Sequence, residues 1–498
     1  MAVIVAALVL LVTPGRDGVT KASASTPPLP LAVVSVRPFA AAQTVPRSYL
    51  GLSTEYWTLP VYDRHLWLFE RVLALLHASG DGPQVLRIGG DSADYAYWDP
   101  NAGIMPAWVF RLTPGWLSSA RALVRETGAR LIIDLNVITG SPLQAGLLAS
   151  AAERELPRGS IVGFEVGNED DIYSRSYWRA TIATNLNPSF LPDRFSPATY
   201  VGDFQSYARV LARVAPHVPL LGPALANPAT HVQWISSLLA SPHPGLKVVS
   251  AHRYPFSACV SHSSPSYPSI SRLLSDRAAA GMAHSLALPA LLAHRAGLPF
   301  RLTELNSVTC GGLAGVSNSF ATALWAPDSL FYLIRAGVDG VNLHVRANTI
   351  NAPFTITANG LTARPLLYGL ILFTRTLGPG AQMLPVRLQA KSSLHLSAWM
   401  VRVDGDSLHV LLIDKGSKSI RVNLRVPASG RATVQRLLAP TVSARSGVTL
   451  AGQRLGSDGS WQGSPSKSSI AARKRGYWLT IRRGSAALVT VAGPEAST

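Results

Sequence analysis

Between residues 49 and 344, short continuous apolar runs alternate with amphipathic stretches. Runs at residues 49–53, 84–89, 130–136, 161–166, 218–222, 247–252, 300–304 and 340–344 lack the in-out alternation of a half-exposed strand, so they read as strands buried on both faces. Stretches at residues 65–79, 114–127, 197–214 and 328–336 carry helical periodicity. Alternation of this kind predicts a parallel sheet covered by helices. Eight repeats favour an α/β fold of the (β/α)8 TIM-barrel type with enlarged loops, with a doubly wound open sheet as the structural alternative.

Beyond Gly378-Pro379-Gly380 the period falls to two, in short alternating segments separated by Gly, Ser, Pro and Asp. That texture predicts a C-terminal antiparallel β-sandwich. Residues 31–37 share it although they precede the first barrel strand, so this segment is expected to cross over and complete the sandwich. The expected organisation is a signal peptide or N-terminal anchor at 1–25, a joining strand within 26–45, a catalytic barrel at 46–378 and the sandwich at 379–498. The leader reading rests on the apolar run at residues 2–12, too short to span a bilayer comfortably, and on the small residues at 22–26. A secreted or extracytoplasmic protein follows, with no stable membrane span beyond that possible anchor.

Composition narrows this picture. With 498 residues, 47% of them hydrophobic, the chain can bury a large core. Its two cysteines, Cys259 and Cys310, exclude a structural zinc site. Each follows a predicted strand, the sixth and the seventh, so their loops are expected to be neighbours able to form a disulfide, the alternative being two free thiols. Of the net charge of +18, residues 381–498 supply +12, from 17 Lys and Arg against 5 Asp and Glu. Such a domain could hold an acidic polysaccharide or simply be a solvated basic face. Its basic residues alternate with Val, Leu and Ile without an aromatic stacking pattern, which argues against a nucleic-acid partner.

Two glutamates carry the chemistry. Glu169 follows the fourth apolar run and Glu304 closes the seventh, which places two carboxylates at the carboxyl ends of parallel strands. Such a pair suits glycosidic cleavage, one carboxyl protonating the leaving oxygen and the other attacking the anomeric carbon. Asn168 is placed to hold a sugar hydroxyl, while Asp170 and Asp171 read as solvated residues opening a helix. Tyr254, after the sixth strand, can donate to Glu304 or simply pack. Arg87, within an apolar strand, needs a carboxylate partner, and Glu304 is the candidate. The Gly89-Gly90-Asp91-Ser92 segment lacks both the dinucleotide glycine spacing and a P-loop lysine, so a nucleotide site is set aside.

Together Leu86-Arg-Ile-Gly-Gly-Asp-Ser92, Phe164-Glu-Val-Gly-Asn-Glu169, Ser250-Ala-His-Arg-Tyr-Pro255 and Leu302-Thr-Glu-Leu-Asn-Ser307 resemble glycoside hydrolase family 79, the heparanase and β-glucuronidase group. The resemblance covers roughly residues 45–498. It implies a TIM barrel followed by a β-sandwich, no metal or cofactor, and net retention with Glu169 as acid/base and Glu304 as nucleophile. The substrate-binding set on these motifs is Arg87, Asp91, Asn168, His252, Tyr254 and Asn306. Glucuronidases of this family hold the sugar carboxylate with backbone amides of a glycine pair and with tyrosine hydroxyls. Gly311-Gly312 matches the first feature, but residues 345–357 hold no tyrosine. Arg346 in that loop can pair with a uronate or serve in a structural salt bridge. The leading expectation is a retaining hydrolase of β-glucuronides. The alternatives are a retaining β-glycosidase acting on neutral sugars and a non-catalytic glycan-binding envelope protein.

Overall fold

The computed structural model describes residues 28–37, 41–101, 103–173, 195–347, 349–426, 430–474 and 476–493. The expected leader at 1–25 lies outside the described residues. Eight parallel strands close a barrel in sequence order: Leu50–Glu55, Val85–Gly89, Arg130–Leu135, Ile161–Val166, Leu220–Leu225, Leu246–Arg253, Phe300–Leu305 and Gly340–His344. This is the TIM barrel that the apolar runs imply, and the open-sheet alternative falls. A helix follows each strand, and three of these start from a Ser or Thr before Pro. Thr113, Ser141 and Ser196 each accept a backbone N–H from three residues on, and the proline fits the first turn, where its missing N–H costs nothing.

The helix after the seventh strand, Phe320–Arg335, begins eight residues before its predicted start at 328. Its first half is apolar on every side because it lies between barrel and sandwich, so no polar face marks where it begins.

The sandwich has two sheets. Leu31–Val36 enters the smaller one, antiparallel to Val386–Gln389 and parallel to Ile420–Arg425. One parallel pair therefore interrupts the antiparallel pattern, because this strand arrives from before the barrel. Along Leu408–Asp414 the alternation serves two cores: Leu411 and Ile413 join the barrel's hydrophobic cluster, while Val410 and Leu412 face the sandwich interior with Ala32 and Val34. At the junction, buried Asp328 accepts from Lys415 Nζ at 2.7 Å, Trp399 Nε1 at 2.8 Å and the Ser397 hydroxyl at 3.1 Å. No helix among the described residues is long and apolar enough to cross a membrane.

Candidate active site

The carboxyl ends of the barrel strands surround a cleft of about 550 Å3 lined by Glu55, Asp91, Glu169, Tyr254, Glu304 and His344, among others. Strands six and seven pair His252 with Glu304 in register. Glu169 stands just past the fourth strand in a left-handed conformation (φ 55°). Gly167 before it has φ 89°, and a Cβ there would lie 2.3 Å from Asp170 Oδ2, so glycine is required for the turn that presents Glu169.

His252 joins the two glutamates. Its Nδ1 lies 3.0 Å from Glu169 Oε1 and 3.9 Å from Glu304 Oε2. An oxygen of each carboxylate and a nitrogen of His252 all fall within 4.8 Å of one another, the one such cluster among the described residues with the spacing to hold a cation. The Tyr254 hydroxyl donates to Glu304 Oε2 at 2.8 Å. Arg87 Nη1 reaches Glu304 Oε1 at 2.6 Å, and His344 Nδ1 lies 3.2 Å from the same oxygen.

These neighbours separate the two carboxyls. Burial alone would raise Glu304, but the charges of His344, His252 and Arg87 outweigh it and hold its pKa well below the usual carboxylate range. Burial raises Glu169; its hydrogen bond to His252 offsets this only in part, and the charge of Glu304 adds to the rise. One carboxyl is therefore kept ionised and the other is biased toward holding a proton. Burial would lower His344, yet Glu304 and Glu55 raise it to about 9, so it is cationic at neutral pH. Asp91 is pushed up to about 7, by burial and then by the charge of Glu55.

Several expected site residues occupy other roles. Arg87 is fully buried and so does not reach a substrate: besides Glu304 it binds Glu165 and Asp134, each at 2.7 Å, and donates to Asn168 Oδ1 at 3.0 Å. Asn168 is only 1% exposed and turned toward that arginine. Asn306 is buried behind the cleft, donating to the carbonyls of His344 and Asn351 at 2.9 and 3.1 Å, because its amide ties the seventh-strand loop to the eighth. Gly311 faces the cleft, but the N–H of Gly312 is already given to the Thr309 carbonyl at 3.2 Å. Arg346 is held by Glu55 at 3.1 Å and Asp91 at 3.4 Å.

Nor are Asp170 and Asp171 solvated. Asp170 is buried, and Asp171 accepts the N–H groups of Ala226 and Asn227 at 2.8 and 2.9 Å, because the short 3-10 turn folds both inward against the loop after the fifth strand. The cysteines pair as Cys259–Cys310, and both line the cleft. Sequence reasoning missed Glu55, His344, Asp134 and Glu165. The signal for Glu55 and His344 was their place at strand ends, equivalent to that of Glu304.

Comparison with known proteins agrees with this geometry. Residues 402–488 match the glycosyl hydrolase family 79 C-terminal beta domain. A β-glucuronidase of Aspergillus niger is 24% identical over 342 residues, an alignment spanning 62% of this chain and 60% of that protein. Among solved structures, a 4-O-α-L-rhamnosyl-β-D-glucuronidase from Fusarium oxysporum superposes with TM-score 0.72 at 18% identity over 92% of this chain and 100% of that one. A family 51 arabinofuranosidase from Xanthomonas axonopodis pv. citri gives 0.63 at 13% identity, over 93% and 100%. The fold is that of the glycosidases that join a TIM barrel to a β-sandwich. Within that class, residues 402–488 are similar to the C-terminal domain of glycoside hydrolase family 79.

Proposed function

We propose that the protein hydrolyses β-glucuronides with net retention. Glu304, ionised, attacks the anomeric carbon while Glu169 gives its proton to the leaving oxygen, forming a glycosyl ester on Glu304. Glu169, now a carboxylate, then takes a proton from water, which attacks the same carbon and frees Glu304. The observation that carries this reading is the closeness of the two carboxyls across His252, with oxygens inside 4.8 Å. Retaining enzymes set the pair ~5–5.5 Å apart, whereas an inverting pair needs ~6.5–9.5 Å to admit a water. His252 suits both steps, since it can hydrogen-bond Glu169 in either state.

The glucuronide assignment is supported by the names of the two relatives and by Gly311, Arg346 and cationic His344 around the cleft. A disulfide between the cleft loops accords with an oxidising, extracytoplasmic location. One observation favours the second reading, a neutral sugar. Glu55 and Asp91 already occupy Arg346, and carboxylates in that position accept sugar hydroxyls but repel a uronate. A panel of 4-nitrophenyl β-glycosides decides, with Glu304→Gln as the control. Turnover of the glucuronide, with the β-anomer appearing first by NMR, is expected. Turnover of neutral glycosides alone supports the second reading, an α-anomer appearing first removes retention, and no turnover at all leaves glycan binding.

A further inference from the structure

The outward face of the smaller sandwich sheet carries cations without anions around an uncharged stripe. Its strands lie in the order Val386–Gln389, Leu31–Val36, Ile420–Arg425, Tyr477–Ile481. Val34, Val422, Leu424 and Leu479 point into the sandwich core, so alternation turns Arg421, Asn423 and Arg425 outward. Register then fixes three rows across the face: Arg387, Ser35 and Arg425; Gln389, Val33, Asn423 and Trp478; Leu31, Arg421 and Thr480. With strands ~4.8 Å apart and a rise of ~3.4 Å per residue, Arg387 and Arg425 stand about 10 Å apart across the sheet, and Arg421 and Arg425 about 13 Å apart along it.

Arg387, Arg421, Arg425 and Thr480 are exposed, Val33 and Trp478 are half-buried, and Leu31 stands 51% exposed at the corner. At the edge, Arg436 Nη1 donates to the Thr480 carbonyl at 2.9 Å, and Arg482 lies close enough for its charge to add to burial in lowering the Arg436 pKa. No acid balances them. The four acidic residues described in this domain lie elsewhere: Asp404 and Asp406 in a turn of the larger sheet, Asp414 buried at a strand end, and Asp458 in a loop beside Arg71. A merely solvated face ordinarily intersperses both signs, so this segregation marks a surface for an anionic partner.

We propose that this face docks the protein on an anionic lipid surface, with its arginines on headgroup phosphates and Leu31, Val33 and Trp478 settled between headgroups and acyl chains. Three observations favour lipid over a soluble polyanion. The Arg421 guanidinium lies 4.8 Å from the Trp478 ring centroid and covers that face of the ring, which is then not offered to a sugar or a base. Apolar side chains sit between the cations, the arrangement that interfacial elements use. Leu31 begins the strand into which the apolar run at residues 2–12 leads, so an anchor retained there joins the domain at this face. The inference is independent of which glycoside the cleft takes and of whether it turns any over.

Flotation of the full chain with vesicles tests it, phosphatidylcholine alone against phosphatidylcholine with about one third phosphatidylglycerol. Binding to the anionic vesicles and not to the neutral ones is expected, weakening about ten-fold or more between ~0.05 and ~0.5 M salt. Arg387→Gln, Arg421→Gln and Arg425→Gln should each weaken it about five-fold, and the triple variant should release the protein. Leu31→Ser should weaken it several-fold, which a purely ionic contact would not show. All four positions are exposed, so these variants should melt like the parent. Arg125→Gln, on a barrel helix, should change nothing. Equal binding to both vesicles, no binding to the anionic ones at low salt, or a loss in Arg125→Gln as large as in Arg421→Gln overturns the proposal. Tighter binding to polygalacturonate or DNA at matched charge concentration, lost in the triple variant, assigns the face to a soluble polyanion and overturns the lipid reading too.

Discussion

His344 is the perturbation that most directly tests how Glu304 is kept ionised. Its Nδ1 lies 3.2 Å from Glu304 Oε1, and its pKa of about 9 keeps it charged across the neutral range. At an effective dielectric of ~20 two unit charges at this distance attract by about 5 kcal/mol, equivalent to about 4 pKa units on the carboxyl. This is an upper bound for His344→Gln. Arg87 and His252 remain, the glutamine amide can still donate, and water entering the vacated space raises the local dielectric. A rise of about one to two units in the Glu304 pKa is expected. It would be read as the acid limb of log kcat/KM against pH, which reports the free enzyme's essential groups. A limb that moves by less than ~0.3 unit, in a variant that melts like the parent, would refute the claim that His344 sets this ionisation. Stability gives an independent check. Because the pKa of His344 is raised on folding, its contribution is present in full below the unfolded value near ~6.5 and lost as pH rises through about 9. The stability deficit of His344→Gln should accordingly be larger at pH ~6 than at pH ~10.

Glu169→Ala should lose about 100- to 10,000-fold on a substrate with a poor leaving group but far less on a 4-nitrophenyl glycoside, whose leaving oxygen needs no proton, and the basic limb of its pH profile should vanish. Equal losses on both substrates would exclude Glu169 as the acid. Asp91, with a pKa of about 7, gains its charge near neutrality beside Arg346, so KM for a glucuronide should rise about five-fold from pH ~6 to pH ~8 and become flat in Asp91→Asn. A wild-type KM that does not change over that range would count against a uronate beside Asp91. The Cys259–Cys310 bridge closes a separation of 51 residues, for which chain entropy suggests a contribution of about 4 kcal/mol. The Cys259→Ser/Cys310→Ser protein should melt lower and show a raised KM, since both loops line the cleft; an unchanged KM would mean the loops hold their shape without it.

The barrel was legible because its strands are buried on both faces and so leave continuous apolar runs. Seven of the eight observed strands begin within one residue of their predicted start, and the exception, Leu220–Leu225, begins two residues later than its run at 218. Glu169 and Glu304 stood out as charges at the ends of such runs. Glu55 does not, because the predicted run ends at Ser53, whereas the strand continues through Thr54 and Glu55, both buried. Asp134 and Glu165 point into the barrel, where a carboxylate is tolerable only beside Arg87, and no local pattern in either strand announces a partner 47 or 78 residues away. Asn306 and Gly312 failed as substrate contacts for the opposite reason. They sit on matching motifs, but which way an amide faces in a loop depends on what the neighbouring loop offers it.

Pairing Arg87 with Glu304 was sound as geometry and incomplete as an explanation. One guanidinium shared among Glu304, Glu165 and Asp134 cannot by itself distinguish Glu304 from the other two. Asp134 shows this: it makes a 2.7 Å contact with Arg87 and its pKa is still raised by burial. What singles out Glu304 is a second set of neighbours that the other two lack, namely His344, His252 and the Tyr254 hydroxyl, all on the cleft side. Tyr254 is itself held neutral by burial and by the charge of Glu304, so it remains a donor rather than a competing anion. The difference between the proposed nucleophile and a buried spectator is thus set by two histidines and a tyrosine at the strand ends, and Arg87 supplies the common positive charge without which three carboxyls could not share one barrel interior.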